Sequence, residues 1–187
     1  MKPVCFALAA AIAALSGIGR FDAPAAAQPA APKPLPLVYV LSTGGTISGR
    51  GASSTSLAEY KSGALLGEEI VAGVPEIKQV ADVKVEQVAN VSSTEITVAH
   101  WLTIAKRINT IFSSDPKAAG VVVTHGTSTL EETAYFLNLT VRHDRPVVLV
   151  GSMRPASAIS ADGPLNLLNA IRTAASADAR GRACSSS

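Results

Sequence analysis

The sequence predicts an α/β domain built on a mainly parallel sheet flanked by helices. Two observations carry that prediction. Solidly apolar runs alternate with amphipathic stretches along the chain, the pattern of successive βαβ units. Each apolar run also ends in a loop of glycine and hydroxyl residues, and such sheets bind ligands beyond the carboxyl ends of their strands. The 187 residues suffice for one domain. With 48% hydrophobic and 16% charged residues, a packed core is expected rather than wholesale disorder. A net charge of +2 with no basic cluster argues against a nucleic-acid partner.

The N-terminus precedes the fold. Lys2, an apolar run from Val4 to Ile18, and Ala25 and Ala27 in an A-x-A arrangement predict an export signal over residues 1–27, cleaved after Ala27. A membrane anchor is the competing reading. It is disfavoured because the run is interrupted by Ser16, Gly17 and Gly19, whereas a spanning helix needs roughly 20 apolar residues. After processing, no membrane association is expected. Residues 28–36, QPAAPKPLP, read as an extended Pro/Ala-rich leader. The two cysteines are Cys5 and Cys184, and the first leaves with the signal, so neither a disulfide framework nor a cysteine metal cluster is expected.

The first strand is the continuous apolar run from Leu35 to Thr43. GGTISGRGASSTS follows as a flexible loop of glycines and small hydroxyls. LLGEEIVAGVP predicts a short helix closed near Gly73 and Pro75, and alternation from Val83 to Val91 predicts a second strand. In ITVAHWLTIAKRINTIFSS, the spacing places Trp101 or Leu102, Ala105, Ile108 and Phe112 on one helical face, and Asp115-Pro116 ends it. AGVVVTH is a third strand and TLEETAYFLNLTVR a helix directly after it. RPVVLVGS is a fourth strand, and SADGPLNLLNAIRTAASA a last helix with Pro164 in its first turn. The strand-end loops TGGT, NVSS, THGTST and GSMRP therefore carry the candidate site.

Each motif has a structural reading beside a chemical one. Ser128 with Glu131 has capping-box spacing, which satisfies orphan amides at a helix start. The same amides attract a substrate carboxylate. STGGTISG places Thr46 in a sharp glycine turn, but it lacks the Lys-Ser/Thr ending of a phosphate loop and any G-x-G-x-x-G spacing. No G-x-S-x-G elbow occurs. A threonine hydroxyl needs help to lose its proton, and Tyr60, further along the same loop, is a candidate to fold back over Thr46. His125 beside a strand end reads first as a packed, hydrogen-bonded residue. His100 and His143 have no carboxylate near them in sequence, and no metal-ligand pair occurs among the three.

YVLSTGGTISG, VVVTHGTSTLEETAYFL and VGSMRPASAISADGPLNLLNA together resemble the exported bacterial L-asparaginases, in the same order, from about Leu37 to Arg182. The resemblance implies hydrolysis of L-asparagine to L-aspartate and ammonia, sometimes with L-glutamine as a second substrate, and no metal or cofactor. It implies Thr46 as nucleophile, Tyr60 polarising that hydroxyl, and Thr127 as a second active threonine. Ser93 takes the position that binds the substrate α-carboxylate, and Thr94 stands where glutamine is commoner. Ser128 stands where the family usually has an aspartate for the α-amino group, and the turn at Ser152 offers its backbone to the substrate amide.

The family pattern continues past this point with an apolar strand, a lysine paired with the second threonine, and a smaller C-terminal domain that lends an acidic residue to a neighbouring subunit. It thus implies a homo-oligomer for the full-length form. Residues 183–187, ACSSS, show no strand pattern and read as a non-family tail. The expectation is a partial, larger N-terminal α/β domain over 37–182 without its C-terminal domain, inactive alone. A non-catalytic amino-acid-binding remnant and a non-functional fragment stay open as alternatives.

Overall fold

The computed structural model describes residues 34–181 and the backbone of Ser185–Ser186; the expected export signal and the first part of the leader lie outside the described residues. In chain order the elements are β1 (Leu37–Gly44), β2 (Arg50–Gly51), β3 (Tyr60–Lys61), α1 (Gly67–Ala72), β4 (Asp82–Val91), α2 (Val98–Ser114), β5 (Ala118–Thr124), α3 (Leu130–Thr140), β6 (Val147–Val150), α4 (Gly163–Ala175) and β7 (Ser185–Ser186). The main sheet has five strands in the order β4-β1-β5-β6-β7, and every pairing in it is parallel. The predicted α/β class is the observed one.

Strand β1 is apolar from Leu37 to Leu41 because it is buried on both faces. Val38 and Val40 join Val122, Val148 and the inner residues of α4, such as Leu167 and Ile171. Tyr39 and Leu41 point the other way, onto Val121, Val123 and Leu149 beneath Ile104, Ile108 and Leu137 of α2 and α3. Fully burying an aliphatic side chain of this size is worth about 1.5–3 kcal/mol. These alternating positions in β1, β5 and β6 therefore fix the strand register. Edge strand β4 mixes half-buried and exposed residues instead, with none fully buried. Arg107 of α2 grips its Glu86 through two hydrogen bonds of 2.6 and 2.5 Å, and these hold the Glu86 carboxyl below its usual range.

One open choice is decided and two expectations change. On α2 the buried stripe is Ile104, Ala105, Ile108, Ile111 and Phe112, whereas Leu102 is exposed. Trp101 is half-buried and stacks on Phe136, because α3 crosses α2 at that turn. Second, the glycine-rich loop after β1 contains structure, a hairpin pairing Arg50 with Lys61 and Gly51 with Tyr60. Third, the tail contributes a strand: Ser185 and Ser186 pair with Val148 and Leu149. An open sheet edge offers backbone hydrogen bonds to any extended chain, whatever its side chains, so no apolar pattern was needed. The end of α2 follows expectation at Asp115, whose amide bonds Ile111 O, and Arg145 caps this end by donating to Phe112 O and Asp115 O while also bonding Ala118 O at the start of β5.

Candidate functional site

The loops after β1, β4, β5 and β6 converge at the carboxyl edge of the sheet. Two glycines let them do so. A side chain at Gly45 (φ 78°) would stand 2.4 Å from Gly126 N, and one at Gly126 would stand 2.7 Å from Ser93 Oγ. Any Cβ at either position would push the turns apart. The Gly45 amide also donates to Val91 O at 2.9 Å, and the His125 amide to Val150 O at 2.8 Å, tying neighbouring loops together.

Thr46 opens a short 3₁₀ turn, Thr46–Ser48, just past β1, and is 9% exposed. Its Oγ1 lies 2.8 Å from the Tyr60 hydroxyl. The tyrosine is carried there by the β2–β3 hairpin, and its ring packs against Gly49, where no side chain would fit. Downstream of the hairpin the Gly63 amide donates to Gly45 O and the Leu65 amide to Ser48 O, closing the loop at its base.

Thr127 and Ser128 are exposed, in a 3₁₀ turn spanning Thr127–Thr129. The predicted Ser128–Glu131 capping box does not form. The 3₁₀ turn delays the helix, so α3 starts at Leu130 with Thr129 in the cap position and no side-chain cap bond. Thr129 Oγ1 instead donates to Ser93 O at 2.9 Å and links the loops after β5 and β4. In the β4 loop it is Glu95 that reaches back, accepting from the Ser92 amide at 2.9 Å. Ser93 is buried, and Thr94 is exposed beside Ser92. Ser152 is buried, and a side chain at Gly151 would stand 3.0 Å from the Thr127 methyl group. Among the described residues, Thr46–Tyr60 is the one hydroxyl pair in direct contact within the predicted set.

Beneath Thr127 lies a buried polar relay. His125, fully buried, sets Nδ1 2.7 Å from Gly126 O and Nε2 3.0 Å from Thr133 Oγ1. A carbonyl only accepts, so Nδ1 carries the proton and Nε2 accepts from the Thr133 hydroxyl. The Trp101 indole N–H in turn donates to Thr133 Oγ1 at 2.7 Å. Burial pushes the His125 pKa down, which keeps the ring neutral and the relay intact. His100 and His143 lie elsewhere, against Thr97 and Ser113.

The turn after β6 has its own anchor, which sequence reasoning missed. Asp162 accepts from the Met153 and Arg154 amides at 2.9 Å each, and Asn166 bridges Asp162 and Gly151 O. Burial raises the Asp162 pKa, but the amide bonds outweigh it and hold the carboxyl below its usual range. In the sequence, Asp162-Gly-Pro signals only a helix start. Among the described residues, no group of three or more His, Cys, Asp or Glu is placed to hold a metal ion. A groove of about 640 Å³, lined by residues such as Val71, Ile77 and Val85, lies beside α1 and β4, away from these loops and lacking their hydroxyls.

Comparison with known proteins follows the same residues. The family profile described as "Asparaginase, N-terminal" matches residues 37–184. L-asparaginase 2 of Bacillus subtilis is 55% identical over 150 residues, covering 80% of this chain and 40% of that protein. The glutaminase-asparaginase of Pseudomonas fluorescens is 49% identical over 145 residues, covering 78% of this chain and 40% of that protein. A crystal structure of a probable cytoplasmic L-asparaginase from Campylobacter jejuni superposes with a TM-score of 0.78 at 44% identity, covering 83% of this chain and 46% of that one. The chain thus spans about two fifths of the length of these curated relatives.

Proposed function

The chain belongs to the asparaginase family, and on that premise we propose that its strand-end site carries the amide-hydrolysing chemistry of an L-asparaginase, with Thr46 as nucleophile. The observation that carries the reading is the 2.8 Å contact between the buried Thr46 hydroxyl and Tyr60. In the proposed reaction Thr46 Oγ1 attacks the side-chain amide carbon of L-asparagine while Tyr60 relays its proton. The C–N bond breaks, ammonia leaves with that proton, and an aspartyl ester remains on Thr46. Water then adds to the ester carbon, the C–Oγ bond breaks, and L-aspartate and the free threonine are restored.

Around that centre, Ser93 and Thr94 hold the substrate α-carboxylate, Ser128 faces its amino group, and the backbone near Ser152 takes the amide oxygen. Thr127 stands on the opposite side of the scissile bond. L-Glutamine is the second substrate considered, because the same groups serve a side chain one methylene longer. Residues 1–27 would direct the product to the periplasm or outside the cell. One feature favours the alternative of binding without turnover: among the described residues, no carboxylate or amine is bonded to the Thr127 hydroxyl.

The experiment is ammonia release from L-asparagine by a full-length form that contains these residues and by its Thr46→Ala variant, with circular dichroism as a fold control. The reading expects release that Thr46→Ala abolishes while the spectrum stays unchanged, since one small hydroxyl contributes little to stability. Turnover retained in Thr46→Ala sinks the assignment. L-Aspartate binding without ammonia release selects the binding-only reading.

A further inference from the structure

Tyr60 reaches Thr46 only while the β2–β3 hairpin stays docked. That hairpin is small, with two residues in each strand, and even longer isolated hairpins are marginal in water. Its support comes from a segment more than a hundred positions away in sequence. The Gly51 amide donates to Ser157 Oγ at 2.9 Å, and the Ile159 amide donates to Ser54 O at 2.9 Å. Gly51 is the register partner of Tyr60. Fixing Gly51 therefore fixes the strand position directly across from the phenol.

The platform that supplies Ser157 is itself held. Asp162 clamps the Met153 and Arg154 amides at its start, and the Ala158 and Ala161 amides bond to Pro155 O and Ala158 O within it. Ser157 is half-buried. Its hydroxyl is the one side-chain group of the platform that bonds the hairpin among the described residues.

We propose that Ser157 is a positioning residue for Tyr60: its hydroxyl latches the hairpin through Gly51 N and so holds the phenol against Thr46. The geometry stands independently of the reaction, whereas the catalytic consequence rests on the asparaginase reading above. A single neutral hydrogen bond shifts a docked-to-open equilibrium by roughly two- to tenfold. Threonine keeps the hydroxyl and alanine deletes it, so the pair of variants isolates the bond from side-chain bulk.

The test uses the 187-residue chain, limited trypsin digestion and NMR of the tyrosine rings. Arg50–Gly51 and Lys61–Ser62, at the two ends of the hairpin, are both trypsin bonds. Ser157→Ala should speed cleavage at these two bonds about fivefold and move the Tyr60 ring signals toward those of free tyrosine. Cleavage after Lys117 and Arg142 and the urea midpoint should not change. Ser157→Thr should restore both hairpin readouts. Where the chain turns over L-asparagine, kcat should fall with Ser157→Ala and KM should hold, since the substrate-contacting loops are untouched. The proposal is overturned if Ser157→Ala leaves hairpin cleavage and Tyr60 signals unchanged, if all bonds accelerate equally, or if Ser157→Thr fails to restore them. Absence of ammonia release from a full-length form that contains these residues refutes the asparaginase reading alone, because the digestion and ring signals still decide the latch.

Discussion

Two threonine turns sit at neighbouring strand ends, and they are built in opposite ways. Thr46 is nearly buried and is fixed through its own hydroxyl, which meets Tyr60 at 2.8 Å. Thr127 is exposed, and what is fixed is the backbone beneath it, through His125, Thr133 and Trp101. The first turn depends on a hairpin that folds over it from outside. The second depends on two helices that pack under it. A hydroxyl already held against a proton-relaying partner suits a nucleophile. An exposed one on a rigid backbone suits a group that completes its contacts only when substrate arrives.

The contrast can be broken from the Thr127 side first, where the largest stability effect is expected. Thr133→Val keeps the shape but strands His125 Nε2 and the Trp101 N–H, each an unpaired polar group. The cost should be roughly 2 kcal/mol or more, read as a lower urea midpoint. The Thr46–Tyr60 contact should survive in the folded fraction, seen as unmoved Tyr60 ring signals. A midpoint equal to the unaltered chain would mean that the relay is not what anchors this turn.

Acid titrates the same relay. The His125 pKa is depressed in the folded state, so between that value and the unfolded value near 6.5 the unfolded chain binds more protons. Stability is then full above about pH 6.5 and falls as the pH drops below it. Asp162, also depressed, adds a further loss only when the pH falls below the ordinary carboxylate range. Urea midpoints measured from neutral pH to about pH 5 should decline, and a folded His125→Gln variant should show a flatter profile. A flat profile in the unaltered chain would contradict the buried neutral histidine.

The smallest effect is expected at Ser128. Because it does not cap α3, Ser128→Asp should leave thermal stability within a few tenths of a kcal/mol, with a slight gain from the helix dipole. A carboxylate there can pair with an amino-acid ammonium. At so exposed a position the gain is screened, so L-aspartate should bind only about two- to fivefold more tightly. Unchanged binding by calorimetry would place the amino group elsewhere.

The strands were legible because burial on both faces leaves a continuous apolar run, as in Val121–Val123 and Val147–Val150. The site was legible as a place, since strand-end loops of a parallel sheet converge. It was less legible as contacts. Strands of two residues leave no periodicity, so the hairpin that carries Tyr60 had no sequence signal of its own. Ser157 and Asp162 act across the fold, and a lone serine or a helix-start aspartate announces nothing. Ser128 misled for a local reason: its capping-box spacing was real, but a 3₁₀ turn took the positions first. Helical spacing left Trp101 and Leu102 both open, and only the position of α3 decides between them.

The difference between the two threonines is tested most directly by mapping the covalent intermediate. A full-length form that contains these residues is mixed with L-asparagine, quenched in acid, digested and analysed by mass spectrometry for an aspartyl ester. The account predicts the added mass on the peptide containing Thr46, absent in Thr46→Ala, with the Thr127 peptide unmodified. An ester on Thr127, or ammonia release with no ester on Thr46, would contradict it.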